Sequence, residues 1–124
     1  MTAAIKRVLV VEDDGTLRET LTEVLLDEGH DVRAAAHGHE AIDQLDGWEP
    51  HIILLDLMMP TMDAFAFRAR QRQLGIAPAA QTILISAARD LESAAKRLGA
   101  DGWIAKPFLL AEVVDVVDRM LDTS

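Results

Sequence analysis

Apolar runs of about four residues recur along the chain, and each stops on a polar side chain. Val8-Leu9-Val10-Val11 ends at Glu12-Asp13, and Ile52-Ile53-Leu54-Leu55 at Asp56. Thr82-Ile83-Leu84-Ile85 ends at Ser86, and Gly102-Trp103-Ile104-Ala105 at Lys106-Pro107. Short, nearly unbroken apolar runs predict strands covered on both faces. A weaker fifth strand is expected over 31–36. The intervening stretches carry helical spacing. Leu17, Leu21, Val24 and Leu25 predict a helix over 15–28, stopped by Gly29. Further helices are expected over 40–45, 64–74 and 90–98, the last with Leu91, Ala94, Ala95 and Leu98 inward and Gly99 as its cap. A final helix over 110–121 carries Leu110, Val113, Val114, Val117 and Leu121 on one stripe, with Leu109, Val116 and Met120 beside it.

Five strand–helix units in succession place the chain in the α/β class, as a doubly wound five-stranded parallel sheet with right-handed crossovers. Ligands bind such sheets at the carboxyl ends of the strands. Here that rim carries three carboxylates (Glu12, Asp13 and Asp56), the Ser86 hydroxyl and the Lys106 amine. Asp14, next to the acidic pair, is expected to cap or complement the first helix.

Composition narrows the classes. The 124 residues suit one domain, 1–124, with a core over about 7–121. A net charge of -9 argues against a nucleic-acid partner. Without cysteine there is no disulfide framework. Lys6-Arg7 precede an apolar run that Glu12 cuts too short for a signal peptide. No segment approaches the ~20 apolar residues of a membrane helix, so a cytoplasmic protein is expected.

Glu12-Asp13, Asp56, Ser86 and Lys106-Pro107, with Met59-Pro60 and Gly99-Ala100-Asp101 at matching places, resemble the receiver domain of two-component response regulators, of the single-domain chemotaxis type. The resemblance covers residues 8–121. It implies a flavodoxin-like (βα)5 fold with strand order 2-1-3-4-5. It also implies that Asp56 is the phosphoacceptor, supplied by a histidine kinase or histidine phosphotransfer protein. Mg²⁺ would be held by Asp13, Asp56 and the backbone carbonyl of Met58, with Glu12 acting mainly through water. Lys106 and Ser86 would meet the phosphoryl group, the Lys106-Pro107 bond would be cis, and Ser86 with Trp103 would form the switch. Output would reach a downstream protein through the fourth helix, fifth strand and fifth helix, a face that could also pair two copies. The chemistry explains these residue types. A bare carboxylate repels a charged phosphoryl group, and a divalent cation with a fixed lysine offsets that repulsion. The implied protein is a switch with limited intrinsic autophosphorylation and autodephosphorylation, not an enzyme.

The chain departs from that pattern in several places. Asp63-Ala64 stands where Asp-Gly is usual, and Thr61 where a glycine or other turn former is common; strain is expected at Ala64 if it keeps the glycine's geometry. The helix Phe65-Ala66-Phe67-Arg68-Ala69-Arg70-Gln71-Arg72 is unusually basic. Trp103 replaces Tyr or Phe, and either switches over a smaller range or stays outward. Met58 and Ala88 offer no strong hydrogen-bonding group for an attacking water, which predicts slow dephosphorylation. Met58, Met59 and Met62 are expected to pack in their loop, and His37 and His39 to lie on a surface loop. Two other readings are a phosphorylation-independent adaptor and a phosphohydrolase, the latter disfavoured because Met58 occupies the place of its second acid. No effector sequence follows Leu121-Asp122-Thr123-Ser124, which leaves either a single-domain switch or the receiver part of a longer regulator.

Overall fold

A computed structural model describes residues 5–59 and 61–120. Five strands, β1 (Arg7–Val11), β2 (Asp31–Ala35), β3 (Ile52–Asp56), β4 (Gln81–Ser86) and β5 (Gly102–Ala105), alternate with five helices. The helices are α1 (Gly15–Asp27), α2 (Gly38–Gln44), α3 (Ala64–Leu74), α4 (Leu91–Leu98) and α5 (Leu110–Arg119). The sheet is parallel throughout, as the strand–helix alternation predicts, with the order β2-β1-β3-β4-β5 that the resemblance implies.

The apolar runs explain this order. β1, β3 and β4 occupy the middle, where both faces are covered, and every residue of β3 is buried. The edge strands β2 and β5 alternate between buried or half-buried and exposed positions. Leu9, Ile53 and Leu84 face a core closed by α2, α3 and α4, with Phe67 fully buried in it. Val8, Leu54 and Ile85 face a second core closed by α1 and α5.

Local chemistry sets the helix ends. Asp14 accepts a hydrogen bond from the Leu17 amide at 3.2 Å and caps α1; Asp63 does the same for α3 through the Ala66 amide at 2.9 Å. His37 caps α2 by accepting from the Glu40 amide at 3.3 Å, so that helix begins two residues earlier than its apolar pattern indicates.

Three expectations need correction. Ala64 is an ordinary first helical residue; the left-handed backbone falls on Thr61, with φ 63°. Thr61 is the position where a glycine or other turn former is common, and the strained backbone sits there. Met58 does not pack in its loop but is exposed, while Met59 is buried and Met62 packs against the core. On α5 the core takes Val113 and Val117 with Val116 and Met120 against them, whereas Leu109 and Leu110 are exposed. Leu121 and Pro60 lie outside the described residues.

Candidate functional site

The strand register brings the sequence-predicted residues to one rim. Glu12 and Asp13 follow β1, Asp56 ends β3, Ser86 ends β4 and Lys106 follows β5. One carboxylate oxygen from each of Glu12, Asp13 and Asp56 lies within 4.8 Å of the others. Glu12 and Asp56 are buried, whereas Asp13 is exposed.

The lysine is placed differently from a simple Asp56 partner. Lys106 Nζ lies 2.8 Å from Glu12 Oε1 and 3.7 Å from Asp56 Oδ2. The shorter contact pairs the lysine first with Glu12. Glu12 Oε2 accepts from the Asp14 amide at 3.2 Å. Asp56 Oδ1 accepts from the Met58 amide at 3.1 Å, which turns the following loop over the acceptor. Ser86, buried beside them, accepts at Oγ from the Ala88 amide at 3.1 Å and keeps its hydroxyl proton for donation. The Lys106 amide donates to the Ser86 carbonyl at 2.9 Å, tying the ends of β4 and β5 together, and the Lys106-Pro107 bond is cis. Trp103 is 43% exposed on β5, away from this cluster.

Sequence reasoning missed Arg18. Its Nη1 donates to the Glu12 carbonyl at 2.9 Å and fixes the backbone from which both acids project. Its only sequence signal is its place in the second turn after Asp14, which is too common to single it out.

Burial raises the Asp56 carboxyl, and the hydrogen bond and charge of Glu12 add to it, bringing it to about 7. The Met58 amide and Lys106 oppose this without cancelling it. At Asp13 burial also acts upward, but hydrogen bonds with Asp56 and Glu12 outweigh it and hold that carboxyl below its usual range. Lys106 is pulled down by burial, yet Glu12 and Asp56 more than compensate and raise it. The metal-free cluster thus keeps a proton close to neutrality.

A linkage follows. Asp56 is raised from 3.8 to about 7, so the native state holds the extra proton in that window. Its contribution to stability is complete below about pH 4 and is lost as pH rises through about 7. His51, lowered by burial and by Arg7 and Lys6, contributes with the opposite sign. Subtracting an Asp56→Asn variant removes the His51 contribution. In EDTA, urea unfolding should show the stability of wild type relative to Asp56→Asn falling from pH 4 to pH 7; a pH-independent difference would refute the raised carboxyl.

The sequence model of the response regulator receiver domain matches residues 8–118. The response regulator MprA of Mycolicibacterium vanbaalenii is 37% identical over 111 residues, covering 87% of this chain and 47% of that protein. The chain thus spans about half the length of the curated relatives it matches. Among solved structures, the Vibrio cholerae chemotaxis protein CheY4 superposes with a TM-score of 0.86 at 28% identity, covering 95% of this chain and all of that one. NtrX from Brucella abortus gives 0.85 at 29% identity, covering 97% of this chain and 28% of that one. Among the described residues, no helix is long and apolar enough to cross a membrane.

Proposed function

Because this chain belongs to the response regulator receiver domain family, we propose that it is the phosphoacceptor switch of a two-component relay in the cytoplasm, with Asp56 as acceptor. The observation that carries the assignment is the buried Asp56 carboxylate, grouped with Glu12 and Asp13 and 3.7 Å from the Lys106 amine.

The donor set suits a hard divalent cation. It offers three carboxylates, with one oxygen from each within 4.8 Å of the others, in a cluster that otherwise retains a proton. Mg²⁺ would be held by Asp13, Asp56 and the Met58 carbonyl, with Glu12 through water. When bound it supplies the charge that lets a carboxylate approach a phosphoryl group. An Asp56 oxygen forms a bond to phosphorus as the bond to the donor's imidazole nitrogen breaks, the electron pair leaving with that nitrogen. Lys106 follows the charge from the carboxylates to a phosphoryl oxygen, and Ser86 donates its hydroxyl proton to the same group. The donor is a histidine kinase or histidine phosphotransfer protein. A downstream protein reads the result at the face of α4, β5 and α5, where Trp103 is already outward; the same face could pair two copies. The receiver is a single domain within this chain.

Incubation with phosphoramidate should add one phosphoryl group by intact mass in Mg²⁺ and none in EDTA. Uptake that ignores EDTA would overturn the metal assignment. The adduct should decay slowly, because exposed Met58 and half-buried Ala88 position no attacking water. Met58→Asn with Ala88→Glu should shorten its lifetime about tenfold or more, and an unchanged decay rate would remove that argument.

A further inference from the structure

The charge of this protein is unevenly distributed. Residues 64–100 hold six of its twelve basic side chains (Arg68, Arg70, Arg72, Arg89, Lys96 and Arg97) but only two of its twenty-one acidic ones, Asp90 and Glu92. A chain of net charge -9 thus presents one positive region, built on α3, α4 and the loop between β4 and α4. Lys96 pairs with Glu92 at 3.1 Å, whereas among the described residues the five arginines form no ion pair with a carboxylate.

The arginines also link the two helices. The Arg97 guanidinium stands 5.2 Å over the Phe65 ring of α3. In return, Arg72 reaches the end of α4, where a Cβ on Gly99 would meet its Nη2 at 3.3 Å. A cleft of about 200 Å³ opens at the end of α3, lined by Arg68, Gln71, Arg72 and the 75–78 turn. Gln71 is buried, donating to the Ala77 carbonyl at 3.0 Å and accepting from Arg68 Nη1 at 3.3 Å. The same Nη1 donates to Thr82 Oγ1 at 3.4 Å, which leaves Nη2 of Arg68 turned to the cleft's opening as its free donor among the described residues. Arg68 Nε is buried and has no acceptor among the described residues. Burial and the neighbouring Arg72 charge hold the Arg68 guanidinium below its ordinary pKa, against the pull of Asp101. Arg72, Lys96 and Arg97 lie in the last turns of their helices and complement those dipoles. Dipoles do not account for Arg68, Arg70 or Arg89.

We propose that the basic cleft at the end of α3 docks an acidic segment of a partner protein, with an Asp or Glu carboxylate seated against Arg68 and Arg72. A guanidinium presents a planar fork that a carboxylate fits with two parallel hydrogen bonds. A nucleic acid fits less well. The remaining chain is strongly acidic, and the aromatic ring on this face, Phe65, already lies under Arg97 instead of offering a stacking platform. A short acidic segment senses mainly the charges within a Debye length of about 8 Å at physiological salt. The surface does not depend on Asp56 chemistry.

The test is fluorescence anisotropy of a labelled peptide of alternating Asp and Glu, titrated with the full chain at low salt. Saturable, salt-sensitive binding is expected. The double charge reversal Arg70→Glu/Arg72→Glu should weaken it about tenfold while leaving Mg²⁺-dependent phosphoryl uptake unchanged. Arg119→Glu, on α5, should leave the affinity as it is. No binding, or equal weakening by Arg119→Glu, would overturn the proposal. So would tighter binding of a single-stranded oligonucleotide of equal charge. Self-association of the wild type that the double reversal abolishes would place a second copy in the cleft and overturn it as well.

Discussion

Asp56→Asn is expected to abolish phosphoryl uptake and, at the same time, to make the metal-free protein more stable at neutral pH. Both effects arise from one carboxylate. Asparagine keeps the shape and can still accept the Met58 amide hydrogen bond, which Asp56 Oδ1 now accepts at 3.1 Å. It lacks the charge that attacks phosphorus and the charge that Glu12 opposes. Burial and Glu12 together raise Asp56 to about 7, which measures how unfavourable its ionised form is in this setting. Removing that ionisation should stabilise the protein in EDTA by about 2 kcal/mol at neutral pH, a fraction of the full pKa shift because solvent reaches the cluster through Asp13. Urea unfolding with and without Mg²⁺ reads the effect. Wild type should recover stability on adding the ion, and Asp56→Asn much less. A variant less stable than wild type in EDTA would show that Asp56 is structurally required, not electrostatically strained.

The second large effect is expected far from the rim. Lys6 is 3% exposed, and its ammonium donates to the carbonyls of Val117 at 2.6 Å, Asp118 at 2.8 Å and Met120 at 2.7 Å. Those carbonyls lie at the end of α5, where a helix leaves its last acceptors without intrahelical donors, and the lysine supplies both donors and a positive charge at the negative end of the helix. Its own amide donates to His30 Nδ1 at 3.1 Å, which ties β1 to the start of β2. Lys6→Met preserves the stem and removes all three donors. The loss should be about 3 kcal/mol in urea unfolding, with faster amide exchange concentrated in α5. A loss below about 0.5 kcal/mol would mean that water replaces the ammonium at no cost.

These two residues mark the limits of legibility. Asp56 was readable because a fully buried strand must end somewhere, and the side chain at that end is thrown onto the rim. The same reasoning found Glu12, Ser86 and Lys106. It could not show that Lys106 lies nearer Glu12 than Asp56, since that depends on how far β5 advances against β4. Lys6 reads as one of two basic residues before a strand; its burial comes from the end of α5, more than a hundred residues later. The stripe on α5 was misdivided for a related reason. A ten-residue helix on one face of the sheet buries Val113 and Val117 and leaves Leu110 exposed at its start. The turn after β3 shows the remaining gap. Both Thr61 and Ala64 can be seen in the sequence to replace turn formers, but that only Thr61 takes the left-handed backbone is settled by the Asp63 cap, which starts α3 at Ala64.

The central claim is that one particular carboxylate carries the phosphoryl group, and acyl phosphate chemistry tests it directly. An aspartyl phosphate is reduced by borohydride to homoserine, whereas an unmodified aspartate is not. Treating the wild-type chain with phosphoramidate and Mg²⁺, then borohydride, then mapping peptides by mass should place homoserine at position 56 and nowhere else. Homoserine at position 13, or a borohydride-resistant phosphate on Ser86 or a histidine, would contradict the account.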